Sequence, residues 1–181
     1  IRAALRTRSD RQEARKETWR ELEDIQEALQ EAKHDHERGK QQLHSTLPRS
    51  VTSGLAMVER VATEKKMRGY YGPLIDNLEL KNDAFRTAVE VAAGNALFNV
   101  IVDNDDTAAT LMKELEKRKA GRLTFLPLSR LTRGAREYPD SPDVKSLLEV
   151  AIDYDKDVEP AMRQVFGDIL LARDLEGAAH F

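Results

Sequence analysis

From Arg8 to Leu47 the chain has neither a proline nor a strand-like run, and Glu, Gln, Ala, Arg and Leu dominate. These are strong helix formers, so the segment predicts one helix from Ser9 to about Leu47. At 1.5 Å per residue a helix of that size reaches roughly 70 Å, longer than a compact domain of this mass. Its apolar stripe is thin. Leu22, Ile25, Leu29, Ala32, His36, Gly39 and Leu43 step by three and four residues, which is heptad spacing with a polar lapse in the middle. Leu5, Gln12, Trp19 and Leu22 fit a second register, so the phase slips near Leu22. So sparse a stripe cannot stabilise a long helix alone. It calls for a partner helix along a seam of Trp19, Leu22, Ile25, Leu29, Ala32 and Leu43. A long surface helix packed on its own domain stays open as the alternative.

Beyond the rod the pattern changes. Pro48 to Gly54 breaks the helix, and Leu55, Val58, Val61 and Ala62 give a short amphipathic helix. Gly69-Tyr70-Tyr71-Gly72-Pro73 reads as a turn-rich entry into short strands at Leu74-Ile75 and Leu78 to Leu80. Asn82 or Asp83 caps a helix whose core face is Phe85, Ala88, Val89 and Ala92, ending at Gly94. Leu97 to Val102 reads as a buried strand. Asp105-Asp106-Thr107 caps a second helix with Ala108, Leu111, Met112 and Leu115 inward, stopped by Gly121. Arg122 to Leu126 is a strand halted by Pro127. An Arg-, Pro- and Asp-rich loop fills 129–143. Leu147 to Ile152 reads as a strand, Lys156 to Phe166 as a helix capped by Gly167, and Ile169 to Ala172 as a strand. One order recurs: Phe85, Ala88, Val89 and Gly94 match Val158, Ala161, Met162 and Gly167 at a constant offset of 73. Two related α/β units are therefore expected. The second breaks off where its last helix should begin, near Ala178-Ala179, so the chain reads as cut rather than finished.

Charge lies in blocks. Residues 1–47 carry ten basic and ten acidic groups; 113–136 carry eight basic and two acidic; 137–181 carry four basic and eleven acidic. Lys113, Lys117, Arg118, Lys119, Arg122, Arg130, Arg133 and Arg136 are thus candidates for contacting nucleic-acid phosphates without reading sequence, and solvated helix faces are the plainer reading. There is no cysteine, which excludes disulfides and thiolate metal sites. No apolar run approaches the roughly 18 residues of a membrane span. No phosphate loop, GxGxxG turn or nucleophile elbow occurs. His34, His36, His44 and His180 have no zinc spacing around them, and Asp103, Asp105 and Asp106 read as helix capping rather than a cation site. No catalytic residue, metal or cofactor is expected.

Gly69-Tyr-Tyr-Gly-Pro-Leu74, Phe85 to Phe98, Val100-Ile-Val-Asp103 with Thr107-Ala, and above all Gly121-Arg-Leu-Thr-Phe-Leu-Pro-Leu-Ser-Arg-Leu131 closely resemble the opening half of SMC (structural maintenance of chromosomes) hinge domains. The last run is similar to the family's GR-x-TF-x-PL pattern. Leu5 to Gln12 and Lys16 to Glu21 resemble the arm entering the hinge of cohesin's third SMC subunit, in its fungal forms especially, and Tyr154 to Leu175 continues the likeness. The resemblance implies an α/β (α+β) SMC hinge domain with a long N-terminal coiled-coil helix. It divides into an arm at 1–47, a break and connecting helix at 48–68, a first hinge subdomain at 69–143 and a truncated second unit at 144–181. The family's second glycine-rich half, its returning arm and its ATPase heads lie outside the sequence.

The same resemblance implies an interaction module without chemistry of its own. The implied partner is the hinge of cohesin's first SMC subunit, with the missing return arm of its own chain pairing the rod. Two hinges meeting through strand edges join long arms into a ring that encloses DNA, for sister-chromatid cohesion and chromosome organisation in the nucleus. Sequence-independent DNA binding, or the hinge of another SMC complex such as condensin, is the alternative. The alternation in Arg122 to Leu128, with Pro127 lacking a backbone donor, suggests an edge strand. Gly121, Arg122, Thr124, Phe125, Leu126, Pro127 and Leu128 are accordingly the expected dimer contact, with Leu97 to Val102 the competing but more interior strand.

Overall fold

The structure, a computed structural model, describes residues 2–131 and 143–174, without the side chains of 2–11, 36 and 40–46. The chain divides into two units, Ile1–Pro48 and Arg49–Phe181. The first is a single helix, α1 (Arg2–Thr46), which ends just ahead of Pro48 because a residue preceding proline is pushed out of the helical region. Every described side chain from 12 to 39, position 36 apart, is exposed.

The second unit opens with α2 (Arg49–Glu64). The helix starts six residues earlier than the sequence reading put it and runs straight through Gly54. That glycine serves close packing: a Cβ there would lie 3.0 Å from Leu123 Cγ. Then come β1 (Tyr70–Pro73), a 3₁₀ turn (Leu74–Asn77) and β2 (Leu78–Leu80). The tyrosine-glycine run expected to be a turn is the strand, and Leu74-Ile75 is the turn. A 3₁₀ turn (Asp83–Phe85) leads into α3 (Arg86–Ala93), and another (Gly94–Phe98) into β3 (Val100–Val102). The expected strand at Leu97 is therefore half as long. α4 (Asp105–Arg118) is capped by the Asn104 side chain, which accepts from the Thr107 N–H; the two aspartates stand in its first turn, where they complement the helix dipole.

β4 (Phe125–Pro127) is followed by β5 (Val144–Ser146), α5 (Leu147–Ala151), β6 (Ile152–Tyr154), α6 (Glu159–Phe166) and β7 (Leu170–Ala172). Leu147 to Ala151 is a helix, not a strand. Leu147, Leu148 and Ala151 are buried while Glu149 is exposed, and burial at i, i+1 and i+4 suits one helical turn.

β1 pairs antiparallel with β3, which pairs parallel with β4; β2 pairs antiparallel with β6, and β5 with β7. β3 is buried on both faces and divides two cores by simple alternation. Ile101 joins a core with Leu74, Val89, Leu147, Met162 and Phe166. Val100 and Val102 join another with Val58, Val61, Ala108, Leu111 and Leu115. Met112, expected inward, is 48% exposed.

The repeat is real in the backbone. The 3₁₀ turns Asp83–Phe85 and Lys156–Val158, and the helices Arg86–Ala93 and Glu159–Phe166, coincide at the offset of 73. So do their caps, Asn82 and Asp155, each accepting from the N–H two residues on. β3 and β7 coincide at an offset of 70. The three residues missing from the second copy therefore lie between Gly167 and β7, where the first has its 3₁₀ turn. Leu74 N–H donates to Asn99, and its counterpart Leu147 N–H to Ile169. The copies meet at the β2–β6 ladder and share the first core.

Candidate interaction surface

Three surfaces carry the expected site residues. On α1, Trp19, Leu22, Ile25 and Leu29 are 69%, 48%, 67% and 52% exposed, and Ala32 is exposed as well. They step by three, three, four and three residues along one side of the helix. An apolar row of this length left in water is the signature of a helix that pairs with another. The Leu43 side chain lies outside the described residues.

The second surface is the segment leading through β4. Thr124 is exposed, whereas Phe125 to Leu128 are half-buried. β4 has a neighbour on one side only among the described residues. Val100 stands opposite Phe125, and the Val100 N–H donates to the Thr124 carbonyl. In a parallel ladder this turns the backbone groups of 124 and 126 toward β3 and those of 125 and 127 toward the open edge. Pro127 has no N–H, so the open edge keeps the Phe125 donor and is blunted one step later. Gly121 has a different duty: its φ is +117°, and a Cβ would collide with the Ser50 carbonyl of α2.

The third surface lies on α2 and α4, which pack antiparallel. Lys65 Nζ sits 3.0 Å from Glu114 Oε1, and Arg118 bridges back to Glu114 at 3.5 Å and to Met57 Sδ at 3.6 Å. The hydrogen bond from Lys65, with the fields of Lys65, Arg118 and Lys117, holds the Glu114 carboxyl below its usual range. Arg130 pairs with Asp105 at 2.6 Å. Arg118 and Arg130 are thereby engaged, whereas Lys113, Lys117, Lys119 and Arg122 are exposed without an ion pair among the described residues. Arg133 and Arg136 lie outside the described residues. Beneath this face, burial first and then Glu59 and Asp76 push the Tyr70 phenol up to about 12.

Sequence reasoning missed one feature. β7 pairs with β5 alone among the described residues, and its register, with Leu147 N–H on Ile169 and Arg173 N–H on Asp143, turns the backbone groups of Leu170 and Ala172 away from β5. By the repeat this is the edge that β4 covers on β3. The offset of 73 was the signal that could have located it. Among the described residues no group of three or more His, Cys, Asp or Glu side chains is placed to hold a metal.

Residues 67–181 match the family described as "SMC proteins Flexible Hinge Domain". The chain is 37% identical over 167 residues to a Cryptococcus neoformans protein named "Urease accessory protein 2", covering 92% of this chain and 14% of that one. It is 41% identical over 135 residues to "Structural maintenance of chromosomes protein 3" of Arabidopsis thaliana, covering 75% and 11%. It is therefore similar to a small part of much longer relatives. Among solved structures it superposes on "Folded elbow of cohesin" with a TM-score of 0.71 at 30% identity, covering 93% of this chain and 24% of that one. On the Pyrococcus furiosus SMC hinge domain the TM-score is 0.56 at 32% identity, covering 72% and 76%.

Proposed function

The chain belongs to the SMC flexible hinge family, and on that premise we propose that it is the dimerisation hinge of a cohesin SMC subunit of the third kind. The observation that carries this reading is the family match over 67–181 together with the superposition on a cohesin structure across 93% of the chain. The module works by association. Its arm, 1–47, pairs through Trp19, Leu22, Ile25 and Leu29 with a returning helix of its own chain; 48–68 connects; 69–143 and 144–181 belong to the two related hinge halves. The Gly121–Leu128 segment, with Thr124 and the Phe125 edge outward, lies at or beside the contact with the hinge of cohesin's first SMC subunit. Two arms so joined form part of a ring around DNA in the nucleus, serving sister-chromatid cohesion and chromosome organisation.

The test is to mix the chain with hinges of the first cohesin subunit and of condensin subunits and to measure mass by sedimentation. A one-to-one complex with the cohesin hinge and none with the condensin hinges is expected. Association with no hinge, or equally with all of them, refutes the assignment.

A second reading has its own support. Lys113, Lys117, Lys119 and Arg122 are exposed and without ion pairs among the described residues, so their charge is available to a polyanion. Such a face would bind duplex DNA without sequence preference, with affinity falling steeply as salt rises.

A further inference from the structure

Two lysines occupy backbone positions that favour glycine. α2 and α4 end in the same motif. At the end of α2 the Met67 N–H donates to Ala62 and the Lys66 N–H to Thr63; at the end of α4 the Ala120 N–H donates to Leu115 and the Lys119 N–H to Glu116. This double bond pattern is the Schellman turn, whose left-handed residue is usually glycine. Here the left-handed residues are Lys66, at φ +49°, and Lys119, at φ +50°. α3 also ends at a glycine, but Gly94, at φ +50° and ψ −128°, lies outside the left-handed helical region and does not form this turn. A lysine in the left-handed conformation carries steric strain that glycine would not. Attraction of a cation to the carbonyl end of a helix is a weak reason for it on α4, because Lys117 and Arg118 already stand in its last turn.

Both lysines are exposed, and they sit at opposite ends of one packed helix pair. The Lys65–Glu114 ion pair places the end of α2 beside the middle of α4, and the Arg118–Met57 contact places the end of α4 beside the middle of α2. Between them on α4 lie Lys113 and Lys117. From Lys113 to Lys119 the helix rises about 9 Å, which spans roughly three successive phosphates of one strand.

We propose that Lys66 and Lys119 are phosphate-contacting residues, retained against backbone preference, and that they extend the nucleic-acid face of α4 onto the end of α2. This rests on the DNA-binding reading above and adds to it a residue outside the basic block, together with a reason for its geometry. Backbone strain that persists at an exposed turn points to a side chain required there.

The test is duplex DNA binding by the 181-residue chain over a range of salt, at a temperature well below all melting midpoints. The variants are Lys66→Gly/Lys119→Gly, Lys66→Arg/Lys119→Arg and Lys113→Ala/Lys117→Ala. The glycine pair should melt no lower than the parent while the slope of log affinity against log salt flattens by about 1.8, about 0.9 for each lost contact. The arginine pair should keep the parental slope. A parental slope in the glycine pair overturns the proposal; if the Lys113→Ala/Lys117→Ala slope still flattens, the DNA-binding reading survives alone. A parent chain that binds no duplex overturns both.

Discussion

Replacing Gly121 by alanine tests how the helical layer is joined to the sheet. Gly121 sits between α4 and β4 at φ +117°, and an ideal Cβ would lie 1.9 Å from the Ser50 carbonyl oxygen and 2.8 Å from its carbon. Both atoms are backbone in the first turn of α2, so no flexible chain end can swing aside. Holding a non-glycine residue at such a φ costs about 1–3 kcal/mol, and displacing packed structure costs about 1–3 kcal/mol more. The expected loss is about 2–6 kcal/mol, a large share of the 5–15 kcal/mol typical of a domain. At about 4 °C per kcal/mol the midpoint should fall by about 8–24 °C. The assay is a thermal melt followed by circular dichroism. Gly54→Ala is the control, because its Cβ would meet only the movable end of Leu123, at 3.0–3.3 Å, and should shift the midpoint by a few degrees at most. A Gly121→Ala melt within 2 °C of the parent would refute the reasoning. The same experiment bears on the expected dimer contact, since association lost in Gly121→Ala would then report a loosened fold rather than a broken interface.

Thr124 is exposed, so Thr124→Asp should leave the melt unchanged yet weaken association with the partner hinge at least tenfold, about 1.4 kcal/mol; sedimentation showing full-strength association would remove this segment from the interface. Lys117→Glu/Lys119→Glu/Arg122→Glu should weaken duplex DNA binding alike across sequences and flatten its salt dependence, and unchanged affinity would return these residues to an ordinary solvated face. The Tyr70 pKa is raised in the fold, so its contribution is complete below the ordinary value near 10 and is lost as pH rises toward about 12; by linkage about 2 kcal/mol of stability disappears over that window. Melts at pH 9 and pH 11 should show the loss in the parent and a smaller one in Tyr70→Phe. Ser146 Oγ is buried without a partner among the described residues, so Ser146→Ala should be neutral or stabilising by up to about 1 kcal/mol in urea unfolding, and a loss above about 1 kcal/mol would show that the hydroxyl is satisfied.

Much of the fold was legible because local chemistry decided it. Pro48 set the end of α1 within a residue of the expectation, whereas the helix begins at Arg2, seven residues before the expected start. Asn82, Gly94, Gly167 and the spacing of Ala88, Val89, Ala161 and Met162 announced both repeat helices. Two errors share one cause. Leu147 to Ala151, interrupted by the exposed Glu149, and Leu97 to Phe98 are too short to carry a period that tells a helical turn from a strand. Met112 was misplaced because its position fits the apolar side of α4 by sequence spacing, but only packing against α2 and the sheet determines which arc of that helix is covered. Of the basic candidates, composition could find the cluster but not separate Arg118 and Arg130, bound to carboxylates, from Lys113, Lys117, Lys119 and Arg122. The partners come from other elements or from a turn away.

By itself, the sequence determined the long helix and its incomplete apolar row, the two related α/β units, and the family to which they belong. Those properties depend on residue type and spacing along the chain, which need no knowledge of the fold. The tertiary structure alone decided which backbone edges of β4 and β7 stay open among the described residues, that Gly121 is held by Ser50, and that Lys66 and Lys119 cap one helix pair in left-handed turns. Edges, close approaches and charge neighbourhoods arise between segments dozens of residues apart, and their geometry exists only once the two cores on either side of β3 have closed.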